Sequence, residues 1–130
     1  MAWYVDTSAF LKLIVEEEHS GALRRWAEAN EEGLFSSRLM RVEALRSARR
    51  HSRPALAVTR DRLDTVALLP VTNAAYDLAA ELDPAVLRTL DALHLAVALA
   101  IGDELEGVAT YDDRLASGAT LHGVAVAKPT

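Results

Sequence analysis

The stretch Trp3-Tyr4-Val5-Asp6-Thr7-Ser8-Ala9-Phe10-Leu11-Lys12-Leu13-Ile14 decides the fold. Its first three residues are aromatic and β-branched, as a short strand requires, and the run ends at Asp6. From Ser8 onward Phe10, Leu11, Leu13 and Ile14 fall at helical spacing. A strand therefore runs straight into a helix, with a carboxylate at the junction. Glu16-Glu17-Glu18 closes that helix, and a second amphipathic helix is expected from about Ser20 to Asn30, with Leu23, Trp26 and Ala27 on one face and Gly33 as the stop.

The same switch of period recurs downstream. Leu34-Phe35-Ser36 reads as a strand and 39–51 as a helix, with Leu39, Val42, Leu45 and Ala48 repeating at spacing three. Ser52-Arg53-Pro54 breaks it, and Pro54 suits the first turn of another helix to about Asp64. Residues 66–71 form the third strand candidate. A helix over 73–82, capped by Thr72 or Asn73, ends at the turn Asp83-Pro84. The most helical segment is 91–101, stopped by Gly102. A strand over 107–111 ends at Asp112, then come a short helix, Gly123 and a last strand over 124–126. Strands alternating with helices imply right-handed crossovers, hence an α/β protein: a three-layer α/β/α sandwich on a short, mostly parallel sheet. One domain over 1–130 is expected.

Composition narrows the function classes. An apolar fraction of 51% beside 25% charged residues is that of a folding chain rather than a disordered one. With no cysteine, disulfides, thiolate zinc sites and cysteine nucleophiles are excluded together, so a metal must use oxygen or imidazole ligands. Met1 to Asp6 lacks a basic leader pattern, and the longest apolar stretch, Ala92 to Ile101, falls far short of the roughly 20 residues that span a bilayer. A cytoplasmic protein without membrane contact is the expectation. The net charge of −5 conceals an uneven distribution. Residues 38–62 hold eight arginines against only Glu43 and Asp61, a strip of +6 in an otherwise acidic chain. Arginine suits bidentate phosphate contacts, so Arg46 and Arg49 on the 39–51 helix are candidate nucleic-acid contacts.

In an open parallel sheet, sites form beyond the carboxyl ends of the strands. Asp6 and Asp112 both have that address, although an Asp before a helix also serves as an N-cap. Asp91 opens the apolar helix Ala92 to Ala100, where the dipole favours a carboxylate. Glu43 stands alone in a basic helix and has an i,i+3 partner in Arg46 as its simplest explanation.

Their order is more informative than any one of them: D-T-S-A at 6–9, a lone Glu in the third helix, D-A-L-H-L-A at 91–96, and T-Y-D-D-R-L at 110–115. In this order and over essentially the whole length, the chain resembles PIN domains, and among them the VapC toxins of bacterial toxin–antitoxin pairs. The resemblance implies an endoribonuclease whose four acids fall on Asp6, Glu43, Asp91 and Asp112, with Asp6, Asp91 and Asp112 as metal ligands. Two carboxylates about 4 Å apart repel by roughly 4 kcal/mol at an effective dielectric of 20, so four converging acids call for a cation. An all-oxygen set selects Mg²⁺, for which Mn²⁺ can substitute. Such an ion would orient and activate a water for attack on a phosphodiester.

Ser8 and Thr110 match the small hydroxyl residues that flank the first and fourth acids of VapC-like proteins, as direct or supporting ligands. Asp112 suits the T-x-D spacing better than its neighbour Asp113, and Arg114 matches a basic residue often found after the fourth acid. His94, three residues beyond Asp91, is taken as a core or partner-facing histidine outside the catalytic set. The resemblance further implies a homodimer and a VapB-like antitoxin, for which Leu11, Ile14, Leu23 and Trp26 are the expected groove. Two other readings compete. One is a catalytically silent PIN-like interaction module. The other is a phosphotransfer receiver domain, which Lys128-Pro129 suits but which lacks its acid after the third strand. No G-x-G-x-x-G or P-loop string occurs, against a dinucleotide or nucleotide-phosphate fold.

Overall fold

A computed structural model describes residues 1–130. The elements in chain order are β1 (Ala2–Val5), α1 (Thr7–Lys12), α2 (Ser20–Ala29), β2 (Leu34–Ser37), α3 (Arg38–His51), α4 (Arg53–Leu63), β3 (Ala67–Leu69), α5 (Asn73–Glu81), α6 (Thr89–Leu99), β4 (Leu105–Ala109), α7 (Asp113–Leu121) and β5 (Ala125–Ala127). All five strands pair in parallel, in the order β3-β2-β1-β4-β5. The expected α/β/α sandwich is what the chain adopts. This order also removes the receiver reading, because that fold arranges its strands 2-1-3-4-5.

Successive residues of a strand face opposite sides of the sheet, and the core divides accordingly. Tyr4 and Val108 point into one layer with Phe35, Leu95, Val97 and Leu115, beneath α5, α6 and α7. Val5 and Ala109 point into the other with Phe10, Leu23, Met40 and Leu63, beneath α1 to α4. Trp3 and Trp26 pack edge to face with ring centres 5.3 Å apart, as packing residues do.

Strands β3 and β5 differ from the sequence-based expectation by one or two residues at their ends, and three other boundaries bear on the site. Helix α1 ends at Lys12, well before the glutamates at 16–18. Helix α6 begins at Thr89, so Asp91 is its third residue rather than its start. Strand β4 spans Leu105–Ala109 instead of 107–111, because the Tyr111 amide donates to Ser8 Oγ and the Asp112 amide to Thr110 Oγ1, turning the chain out of the ladder.

From β1 the chain steps outward to β2 and β3, then returns to the other side of β1 for β4 and β5. The reversal leaves a crevice at the carboxyl ends of β1 and β4, the place where open α/β sheets bind ligands. Val5 pairs with Ala109 in register, so Asp6 and Thr110 emerge side by side into that crevice.

Candidate active site

Asp6 is the centre of the crevice and is 3% exposed. Its Oδ1 accepts from the Ala9 amide at 2.9 Å, capping α1, and from Ser8 Oγ at 2.7 Å. Thr110 Oγ1 donates to Oδ2. Capping uses Oδ1 and leaves Oδ2 with Thr110 as its one protein donor. Burial pushes its carboxyl above the ordinary value, and the bonds from Thr110, Ala9 and Ser8 pull against it.

Asp112 repeats the pattern. Its Oδ1 accepts from the Leu115 amide at 2.9 Å, capping α7, and Oδ2 has no protein donor. Asp113 points elsewhere: it is 93% exposed and pairs with Lys128 at 3.3 Å. Asp91, in the first turn of α6, has no hydrogen-bond partner, and the cap position is Arg88. The capping explanation does not apply to it. Burial raises the Asp91 carboxyl, and the charge of Asp112 raises it further, with lesser pushes from Asp6 and Glu43 and relief from His94. The other three acids therefore lie within electrostatic reach of Asp91.

Glu43 comes from α3, which packs on α1. It does not pair with Arg46. Its Oε1 accepts from Thr7 Oγ1 at 2.7 Å and from His94 Nε2 at 2.6 Å. Burial acts to raise this carboxyl, but the bond and charge of His94, with Thr7, outweigh burial and leave it below the ordinary value. Thr7 is a contact of Glu43 that sequence reading missed, and His94, set aside there as a core or partner-facing histidine, is buried as expected yet also bonds Glu43. The signal for His94 was its i+3 position after Asp91, one helical turn along the same face.

Each acid of the set keeps an oxygen free of protein donors or with a spare lone pair: both oxygens of Asp91, Oδ2 of Asp112, Oε2 of Glu43, and one lone pair on Asp6 Oδ2. These are hard oxygens, the donor chemistry of Mg²⁺ or Mn²⁺. No three His, Asp or Glu side chains stand close enough together to hold one ion directly. An ion here would take one or two carboxylates directly and keep several waters. The residues present fit such a cation.

The other expected residues fall as follows. Ser8 and Thr110 both touch Asp6 and stand 3.3 Å apart. Arg46, Arg49 and Arg114 are exposed and make no ion pair. At about 100° per residue, Arg50 lies some 20° around the α3 axis from Glu43 and Arg46 some 60°, whereas Arg49 is turned roughly 120° away. Arg50, absent from the sequence-based set, is therefore nearer the site face than Arg49. Leu23 is corrected: at 1% exposure it belongs to the core beneath α2 and offers no surface to a partner. Leu11, Ile14 and Trp26 remain partly exposed at the edge of that core.

The PIN domain family model matches residues 3–121. Among curated proteins, Ribonuclease VapC47 of Mycobacterium tuberculosis (strain CDC 1551 / Oshkosh) is 41% identical over 130 residues, covering 97% of this chain and 96% of that one. Ribonuclease VapC46 of Mycobacterium tuberculosis (strain ATCC 25618 / H37Rv) is 41% identical over 129 residues, covering 99% and 98%. Among solved structures, the sarcin-ricin loop cleaving toxin VapC20 of Mycobacterium tuberculosis superposes with a TM-score of 0.78 at 20% identity, over 98% of this chain and 100% of that one, a likeness of fold.

Proposed function

This chain belongs to the PIN-domain family, and on that premise we propose that it is a Mg²⁺-dependent endoribonuclease, the toxin of a toxin–antitoxin pair, with Mn²⁺ able to substitute. One observation carries the reading. At the switch point of the sheet, Asp6, Glu43 and Asp112 are held by hydrogen bonds, Asp91 stands unbonded within their electrostatic reach, and each leaves an oxygen for something other than protein. Asp6, Asp91 and Asp112 would hold the ion, one or two of them directly and the rest through its waters. When bound, the cation supplies a Lewis acid for the phosphodiester and orients the attacking water. Ser8 and Thr110 keep the Asp6 carboxylate from turning. Glu43 offers Oε2 as the acceptor for the proton that the attacking water gives up. Arg46, Arg50 and Arg114, with Arg49 farther round α3, would track the RNA phosphates.

The relatives' names support a VapB-like antitoxin as partner, seated on Leu11, Ile14 and Trp26. A homodimer and a cytoplasmic setting complete the proposal. No helix is long and apolar enough to cross a membrane.

The test is the Mn²⁺-dependent shift in melting temperature of the wild type, Asp6→Asn and Asp91→Asn, paired with cleavage of total bacterial RNA. Ion at 100 times its dissociation constant stabilises by about 2.7 kcal/mol. That is about 10 °C for a domain of this size, at roughly 2.1 cal/mol/K of unfolding entropy per residue. Loss of the shift in both variants together with loss of cleavage supports the nuclease. A wild type that shows neither shift nor cleavage points instead to the silent interaction module.

A further inference from the structure

The ring of His94 is 3% exposed and hydrogen-bonded on both sides. Nε2 lies 2.6 Å from Glu43 Oε1, and Nδ1 lies 2.6 Å from the Tyr4 hydroxyl oxygen. The Tyr4 hydroxyl also lies 2.9 Å from Ser37 Oγ. A carboxylate oxygen only accepts, so the Nε2 side of the ring is the donor toward Glu43 Oε1. We infer that His94 is a positioning residue that holds Glu43 by Oε1 and leaves Oε2 as its only oxygen free to act in the acid pocket.

Glu43 supports this from its own side. Thr7 Oγ1 donates to the same Oε1 at 2.7 Å, so two donors occupy that oxygen, and no protein donor reaches Oε2. Glu43 is no buried orphan, since every buried side-chain polar atom has a partner, and its side chain is 25% exposed. Oε2 is thus the solvent-facing oxygen. Two bonds at one oxygen oppose rotation of the carboxylate, which leaves Glu43 a single oxygen with which to act in the pocket. The chain Ser37–Tyr4–His94–Glu43–Thr7 also ties β2, β1, α6, α3 and α1 together at the site. A hydrogen-bonded network of this kind is costly to interrupt at any one member.

This role rests on the nuclease reading for its effect on cleavage, but the arrangement itself can be read without RNA. Nitrogen-edited NMR of the imidazole region should show a slowly exchanging His94 Nε2–H proton in the wild type. It vanishes in His94→Gln and exchanges faster in Glu43→Ala. A wild type with no protected Nε2–H overturns the inference. For function, His94→Leu should slow Mn²⁺-dependent cleavage of total bacterial RNA about 10–100-fold, while its Mn²⁺ melting shift persists. His94→Gln, which keeps a donor toward Oε1, should recover most of that rate. Equal rates for the Gln and Leu variants, or loss of the Mn²⁺ shift in both, overturn the positioning role. A protected Nε2–H in a wild type that cleaves no RNA would leave the His94–Glu43 arrangement standing and remove the nuclease reading instead.

Discussion

Replacing Thr110 with valine isolates one hydroxyl at the heart of the site. Valine keeps the volume and branching of threonine, so the completely buried pocket around residue 110 stays filled. What disappears is a hydroxyl with two duties: it donates to Asp6 Oδ2 and accepts from the Asp112 amide at 3.0 Å. A hydrogen bond to a charged group contributes about 1.5–3 kcal/mol, and stranding the amide costs about 1 kcal/mol more. The expected loss at neutral pH is therefore about 2.5–4 kcal/mol. At about 4 °C per kcal/mol for a domain of this size, the melting temperature should fall by about 10–15 °C.

The pH dependence has a definite sign. Burial raises the Asp6 carboxyl above 3.8 and the Thr110 hydroxyl holds it down, so removing the hydroxyl moves it further up. A raised carboxyl binds its proton more tightly in the folded chain than in the unfolded one. It therefore subtracts stability as pH climbs from 3.8 through its folded value, and the subtraction is complete above that. The deficit of Thr110→Val should be smallest in acid and grow across this window, and competition from the proton should weaken the Mn²⁺ shift. Thermal melts across a pH series, with and without Mn²⁺, check each part. A neutral-pH deficit below about 1 kcal/mol, or one that does not change with pH, would refute the account of Thr110 as the hydroxyl that pulls the Asp6 carboxyl back down.

Further outcomes follow from neighbouring geometry. Asp112→Asn keeps the α7 cap, because asparagine caps as well as aspartate, yet should lose the Mn²⁺ melting shift, whereas Asp113→Asn should leave it intact. Charge reversal at Arg46 and Arg50 should weaken RNA binding and flatten its dependence on salt in a titration between about 50 and 200 mM, with Arg49→Glu doing less; an equal effect from Arg49 would detach the strip from the Glu43 face. Gly107→Ala places a methyl group against the Trp3 ring and 2.5 Å from the Ala125 carbonyl oxygen. Since β5 cannot retreat without breaking its ladder, a loss of about 1–3 kcal/mol is expected in a melt, with the Mn²⁺ shift preserved.

Much of the fold was legible because local signals agreed. The strand Trp3-Tyr4-Val5 and the cap at Asp6 are both short-range features, and each strand-to-helix switch announced itself in the same way. Boundaries failed where a long-range bond decided them. Strand β4 stops at Ala109 because Ser8, from a segment about a hundred residues earlier, takes the Tyr111 amide. Leu23 looked like a groove residue because periodicity marks an apolar face but does not say whether another element already covers it. Arg46 beside Glu43 looked like an ion pair, yet the carboxylate is bound by Thr7 and His94 from two other helices.

By itself the sequence determined the α/β alternation, the absence of thiol chemistry, the cationic strip, and the order of acids that marks the family, since all of these are written in periodicity, composition and spacing. Only the tertiary structure decided which acids stand within reach of Asp91, which oxygens of Asp6, Glu43 and Asp112 are bonded, and that a histidine bridges Tyr4 and Glu43. The physical reason is that a hydrogen bond or a Coulomb interaction depends on distances of a few ångströms between residues 36 to 104 positions apart, and those distances exist only once β1 lies between β2 and β4.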